Sequence, residues 1–435
     1  MIKILQVRNI DSFVESRRQK TSEKDRKTVQ SILNDVRKNG DSAVKKYERK
    51  FNGRKTSQLR VSAKEIKEAK SKISRKEYRA IGEVGYWLDL FTERDVRNMV
   101  QEAVKKSGRD PVYLLEEFGV GIERSLVPIP SVGCYVPGGQ ARYPSSVAMS
   151  VTPAKIAGVK RIVVVSPPGR DGKIDPLTIA AAKRCGATEI YKVGGAQAIG
   201  ALAYGTKSIP KVDKIVGPGG KFVSIAKSLV SDQTAIDMVA GPTELGIIAN
   251  ASSNPELVAL DLISQAEHSK DTMCFVITQS KAMAKQIQKS IEKLIPGTER
   301  SSIIKESISK NGFIAICKNE NEVIELANKI APEHLELMVG NARSLSKKIT
   351  GAGLLLIGKN TPSAASDYIL GTNHILPTNG FGRTRGGLSV LDFLKLQTVV
   401  ESNKKRFLEF RDSLKALTDA EDLPNHYKAV KRRLE

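Results

Sequence analysis

Residues 161–166 read RIVVVS, residues 189–193 read EIYKV and residues 214–216 read KIV, with a helix-length spacer after each of the first two. Short runs rich in Val and Ile suit strands, and helix-length spacers make them parallel strands joined by crossover helices. The alternation continues with LGIIAN (245–250), MCFVIT (273–278), FIAIC (313–317) and GLLLIG (353–358). So many strands fill two parallel sheets comfortably, which predicts an α/β chain with parallel-rich sheets. SPPGRDG (166–172) reads as a loop, and ASSNP (251–255) separates a strand from a helix.

The flanks of this region read as helical. Ser22 caps a segment with Glu23 and Asp25 in its first turn, and Val29, Ile32, Leu33 and Val36 recur at helical spacing. Asn39-Gly40 ends that helix and Ser42 starts another. An amphipathic stretch from about Lys76 to Lys106 carries the single tryptophan, Trp87, which the pattern assigns to packing. After Leu394 the chain is expected to return to helix, ending in AEDLPNHYKAVKRRLE. No internal repeat or low-complexity tract interrupts the pattern.

Composition narrows the class. The chain has 435 residues, 40% hydrophobic and 27% charged, an ordinary globular balance. No apolar run approaches the roughly 18 residues that span a bilayer. MIKILQVRNIDSF has no cleavable apolar segment, so no secretion and no membrane partner are expected. Cys134, Cys185, Cys274 and Cys317 lie far apart with no CxxC pair, which disfavours a disulfide framework and fits a cytoplasmic protein. The net charge of +23 invites a nucleic-acid reading. Its lysines and arginines, however, alternate with acids along helical stretches, and aromatic residues are only 5%. Base stacking lacks partners, so the charge reads as a solvated surface with no nucleic-acid partner.

Chemistry concentrates around four histidines. In DLISQAEHS (261–269), Gln265 and His268 are spaced i, i+3, so one helix face could offer an amide oxygen and an imidazole to a divalent metal. Gln is an uncommon ligand, and a structural role explains the pair as well. In APEHLEL (331–337), Glu333 and His334 adjoin in a loop or at a helix start, a carboxylate and an imidazole suited to proton transfer. SDYILGTNHILPTNG (366–380) places Asp367 and His374 among turn residues, where Asp367 is either a hard oxygen ligand or a helix cap. Glu421 and His426 lie in the basic last helix. Three glycine turns, YVPGGQARYPSS (135–146), VGGAQAIGALAYG (193–205) and VGPGGKFVSIAK (216–227), precede helices and could present N–H groups to phosphate. None matches GxGxxG, and Ile215 stands where a P-loop needs glycine.

Taken together these segments resemble the histidinol dehydrogenase family. The carrying strings are GCYVPGGQARYPSSVAMSVTPAKIAGV, YKVGGAQAIGALAYGT, VDKIVGPGG, IDMVAGPTE, DLISQAEHS, APEHLEL, DYILGTNHILPTNG and GGLSVLDFLK, in the family's order over nearly the whole chain. The resemblance implies that Gln265, His268, Asp367 and His426 bind one zinc ion per subunit, and that Glu333 and His334 are the acid–base pair. Thr243, His374 and Glu421 would hold substrate, together with His334 and the zinc ligands. Tyr135, Gln197 and Gly220 match NAD contacts, although the family usually carries Asn where this chain has Gly220. Thr243 replaces a common Ser, and Arg142, where Pro is common, could meet a cofactor phosphate.

The resemblance also implies two incomplete Rossmann-like domains with an N-terminal helical segment and a C-terminal helical tail. The expected division is an N-terminal extension (1–23), a first domain with the catalytic and metal residues (24–134 plus 249–388), an inserted cofactor-side domain (135–248) and a tail (389–435) swapped within a homodimer. The implied reaction oxidises L-histidinol to L-histidine through histidinal with two NAD, the last step of histidine biosynthesis. A relative acting on another amino alcohol or a sulfonated diol is the nearest alternative. A zinc hydrolase using Glu333 would leave Tyr135, Gln197 and the glycine turns without a role.

Overall fold

The computed structural model describes residues 1–18, 22–53, 58–107, 116, 119–138, 142–169 and 171–434. The run RIVVVS forms β4 (Arg161–Ser166), which lies inside a five-stranded, wholly parallel sheet. The sheet order is β5 (Glu189–Lys192), β4, β3 (Ser131–Tyr135), β6 (Lys214–Val216) and β7 (Ala235–Ile236). Both faces of β4 are covered, which is why it reads as a continuous Val/Ile run and not as an alternating one. Crossover helices 144–157, 176–185, 195–204 and 221–230 join the strands. Asp175 caps the second of these by accepting from the Leu177 N–H, with Pro176 at its first position.

The second sheet is also parallel and has six strands. They are β1 (Lys3–Gln6), β10 (Phe313–Ile316), β9 (Met273–Thr278), β8 (Glu244–Ala249), β11 (His334–Met338) and β12 (Leu354–Ile357), in that order. Phe275 and Phe313 stack at 4.9 Å between neighbouring strands of its core. Each such fully buried side chain stabilises the fold by roughly 1.5–3 kcal/mol.

Helix 10–15 packs on the core of the six-stranded sheet, whereas the helices that follow attach to the five-stranded sheet. Helix 23–52 bends at Gly40 (φ 52°, ψ −130°), the break expected at Asn39-Gly40, and buries Val29, Leu33 and Val36 against Ile199 and its neighbours. On the opposite face, Val61, Ala69, Ile81 and Leu88 pack with Val132, Val147 and Val164.

Three departures from the expected pattern have local causes. The chain starts with a strand: β1 is too short to show periodicity and is stabilised by pairing with β10. APEHLEL is neither loop nor helix start beyond Glu333. Ala331 adopts φ 51° to close helix 320–330, and β11 begins at His334. Residues 394–402 form β13 (Leu394–Ser402), antiparallel to β2 (Val120–Pro128), and helix resumes only at Lys404. This ribbon carries helices 404–420 and 424–434, of which only Thr418 is buried. Among the described residues no helix is long and apolar enough to cross a membrane, and all four cysteines are buried free thiols.

Candidate active site

The chain passes from one sheet to the other between β7 and β8, and residues 237–243 of this passage help to line a cavity of about 610 Å³. One wall is the turn Gly217–Gly220, at the carboxyl end of β6. The facing wall is the amino edge of the six-stranded sheet, where Thr243 precedes β8 and Glu333 and His334 open β11. Open parallel sheets usually bind ligands at their carboxyl edges. Here only the five-stranded sheet turns its carboxyl edge to the cavity.

The cavity gathers residues distant in sequence: Thr243, Gln265, His268, Glu333, His334, Asp367 and His374. Gln265 is in the last turn of helix 255–266, which Asn254 caps. His268 lies beyond that helix, so the expected common helix face is replaced by a turn in which the His268 N–H donates to the Gln265 carbonyl. Asp367 ends the short helix 363–366, and His374 follows in the next loop.

Hydrogen bonds fix the orientation of these groups. The Thr243 hydroxyl donates to Glu333 Oε2, which also accepts from the Glu244 N–H at 2.9 Å. A hydroxyl has one proton, so toward Gln265 Thr243 must accept, and Gln265 Nε2 donates to it at 2.8 Å. That turns Gln265 Oε1 the other way, 3.4 Å from the Ser363 hydroxyl. His374 Nδ1 donates to the Asp367 carbonyl at 3.0 Å, which makes Nε2 the acceptor of the Ser146 hydroxyl at 3.1 Å.

Charge is strongly coupled here. Burial opposes a charge on His334, yet Asp367 and Glu333 push its pKa up to about 9. Burial also opposes ionisation of Asp367, but His334 beside it holds that carboxyl below its usual range. His268 and His374 are lowered by burial, so both stay neutral. Burial raises Glu333, and pushes Glu244 up to about 8. His334 Nε2 and Asp367 Oδ1 face each other at 3.5 Å, and neither makes a hydrogen bond although both are buried. A buried carboxylate oxygen without a donor is a seat for a cation. With a neutral imidazole and an amide oxygen nearby, the donors fit a nitrogen–oxygen metal such as zinc. Among the described residues no three His, Cys, Asp or Glu side chains form a cation cage.

Other expected residues lie elsewhere. Glu421 and His426 are exposed on the tail and do not line the cavity of their own chain, because the β2–β13 ribbon forms a unit separate from both sheets. Tyr135 and Gln197 are buried behind the five-stranded sheet's carboxyl edge, where the Tyr135 hydroxyl accepts from the Gly195 N–H at 3.2 Å. Gly220 does line the cavity, and a Cβ there would meet nothing within 4 Å. Gly217 differs: at φ 112° its Cβ would fall 2.1 Å from the Tyr135 carbonyl. The buried Lys227–Asp237 pair secures this turn, with the Gly217 N–H donating to Asp237 at 2.8 Å. The Arg142 guanidinium sits at the rim and is engaged by Asp175 at 3.1 Å. Sequence reading missed Glu244, Asp237 and Ser146, although all three stand inside quoted strings, the first two in IDMVAGPTE and the third in YPSS.

A family model for histidinol dehydrogenase matches residues 15–434. A histidinol dehydrogenase of Methanococcus maripaludis is 43% identical over 94% of this chain and 93% of its own length. One of Oceanobacillus iheyensis is 40% identical over 94% and 92%. The crystal structure of histidinol dehydrogenase from Elizabethkingia anophelis superposes with a TM-score of 0.88 at 32% identity, covering 100% of this chain and 98% of that one.

Proposed function

The chain belongs to the histidinol dehydrogenase family, and on that premise we propose that it oxidises L-histidinol to L-histidine through histidinal, with two NAD as hydride acceptors and one zinc ion per subunit. The observation that carries the reading is the convergence of Gln265, His268, Asp367, Glu333 and His334 on one cavity that also contains the Gly217–Gly220 turn. Gln265, His268 and Asp367 would hold the metal, with His426 supplied by the tail of a second copy. The chemistry that zinc supplies when bound is a template for the imidazole and amine of histidinol.

His334 takes the hydroxyl proton while hydride leaves the carbinol carbon. With Asp367 engaged by a cation, the hold that keeps His334 protonated would weaken, and the imidazole would take the form a base requires. Glu333, aimed by the Thr243 hydroxyl and the Glu244 N–H, activates the water that adds to histidinal. Thr243, His374 and the second copy's Glu421 contact the substrate. NAD lies toward Tyr135, Gln197 and Gly220, on the side of the five-stranded sheet. The exposed apolar side chains Leu396, Val399, Val400, Leu408 and Leu417 on the arm support a homodimer in which each tail is covered by the other subunit. A cytoplasmic setting fits four buried thiols.

The test is the yield of NADH. Oxidation of an alcohol to an acid removes four electrons, so about two NADH must form per histidinol consumed, with loss of activity after zinc chelation. Turnover of a sulfonated diol without turnover of histidinol would overturn the substrate assignment.

A further inference from the structure

Glu48 lies in helix 23–52 and is wholly buried. Its carboxylate crosses to the five-stranded sheet's side, where Oε1 accepts from the Gly194 N–H at 2.9 Å and from Gln197 Nε2 at 2.8 Å. Gly194 is the N-cap of helix 195–204, and no side chain of its own caps that helix. The partial positive charge of a helix N-terminus favours an anion. Glu48 supplies one from within the chain. The turn VGGAQ, whose sequence offers N–H groups to phosphate, is therefore already filled.

The same contact fixes Gln197. A carboxylate can only accept, so the amide nitrogen of Gln197 must face Glu48 and its oxygen must point away. That oxygen is buried and has no hydrogen-bond partner. Gly195, which is only partly buried, lies over it: a Cβ at Gly195 would come 2.8 Å from Gln197 Oε1. An orphaned acceptor under a side-chain-free position calls for a hydroxyl donor and repels a phosphate.

From this geometry we infer that Glu48 is a positioning residue for cofactor recognition. It blocks the glycine turn at 194–195 to phosphate and orients Gln197 so that its oxygen accepts from a neutral hydroxyl of the dinucleotide, a ribose hydroxyl. The negatively charged part of the cofactor is left to the Gly217–Gly220 turn, which opens on the catalytic cavity. The inference rests on the reading of NAD as hydride acceptor.

Steady-state kinetics of purified Glu48→Gln test it. The glutamine keeps the volume but removes the charge and can offer either nitrogen or oxygen to Gln197, so its orientation is no longer dictated. The NAD KM should rise about tenfold, the upper end for one hydrogen bond between neutral groups, with kcat and histidinol KM within about twofold. Glu48→Ala should lose more NAD affinity and recover it on addition of acetate, which leaves the wild type unchanged. Should Glu48→Ala fail to fold, Glu48→Gln decides alone. An unchanged NAD KM in Glu48→Gln, equal losses in kcat and in both KM values, or a folded Glu48→Ala that acetate does not restore would each overturn the inference. A wild type that forms no NADH from histidinol overturns the NAD reading instead.

Discussion

Replacing Thr243 by Val keeps nearly the same shape but removes the hydroxyl that joins Gln265 to Glu333. Two bonds go with it: the 2.8 Å donation from the Gln265 amide and the donation to the Glu333 carboxylate. The first, between neutral buried groups, is worth about 1 kcal/mol, and the second, to a charged group, about 2 kcal/mol. Glu333 retains the Glu244 N–H and stays roughly placed. Gln265 loses the partner that decides which end of its amide faces the site, so metal affinity should suffer most. Loss of such an outer partner typically lowers metal affinity by about 10- to 100-fold. Competition for zinc against a chromophoric chelator measures this directly, and turnover of histidinol and of histidinal can be followed in parallel. Thr243→Ser should behave like the wild type, because its hydroxyl can make both bonds. If Thr243→Val holds zinc within twofold of the wild type and oxidises both substrates normally, the hydrogen-bond argument is wrong.

Other expectations follow from the same geometry. His334→Asn should retain zinc and histidinol binding but lose at least about 100-fold in turnover, as expected for a missing general base; single-turnover kinetics with bound histidinol check it. Gly220→Asn should fold normally, since a Cβ there meets nothing within 4 Å, and should lower the NAD KM several-fold by adding a side-chain hydrogen bond. Burial pushes Glu93 up to about 7 from an ordinary 4.5, with its carboxylate against the Val390 N–H. The native state thus binds a proton that the unfolded state has lost, so this group's contribution falls as pH rises from 4.5 to 7, by about 3 kcal/mol in total. Urea unfolding of Glu93→Gln at pH 5 and pH 8 should show a gain over the wild type only at the higher pH.

Much of the fold was legible because fully buried parallel strands announce themselves as unbroken Val/Ile runs. RIVVVS, KIV and MCFVIT match strands residue for residue. β3 escaped notice because SVGCY has a glycine and small side chains where bulk was sought; Gly133 is needed there, since a Cβ would press on Leu202. β11 was obscured by charge. HLELM carries His334 and Glu336 within a wholly buried strand, and Glu336 is accommodated by the Ser363 N–H, 27 residues away. The same limit hid Glu48: a charged residue on an amphipathic helix reads as solvent-facing until its partner, 146 residues on, is known. Candidate site residues were visible as types, but the bonds that tie Thr243 to Gln265 and to Glu333 span 22 and 90 residues, beyond any local pattern.

Two departures from ordinary folding rules complement each other. At the cavity, polar atoms of His334 and Asp367 are buried without hydrogen bonds, an expensive arrangement in a finished site. On the tail, apolar side chains such as Val400 and Leu417, each 62% exposed, lie beside exposed Glu421 and His426. The arm is not covered by its own chain, because the β2–β13 ribbon forms a unit separate from both sheets. A second copy that covers the arm would remove the apolar exposure. On the proposed assignment, His426 of that copy and Asp367 would hold the same cation. On that assignment the two repairs would be one event, and zinc loading and dimer formation should be thermodynamically linked. In that linkage, chelation would weaken the dimer, and dilution of the protein would weaken its hold on the metal.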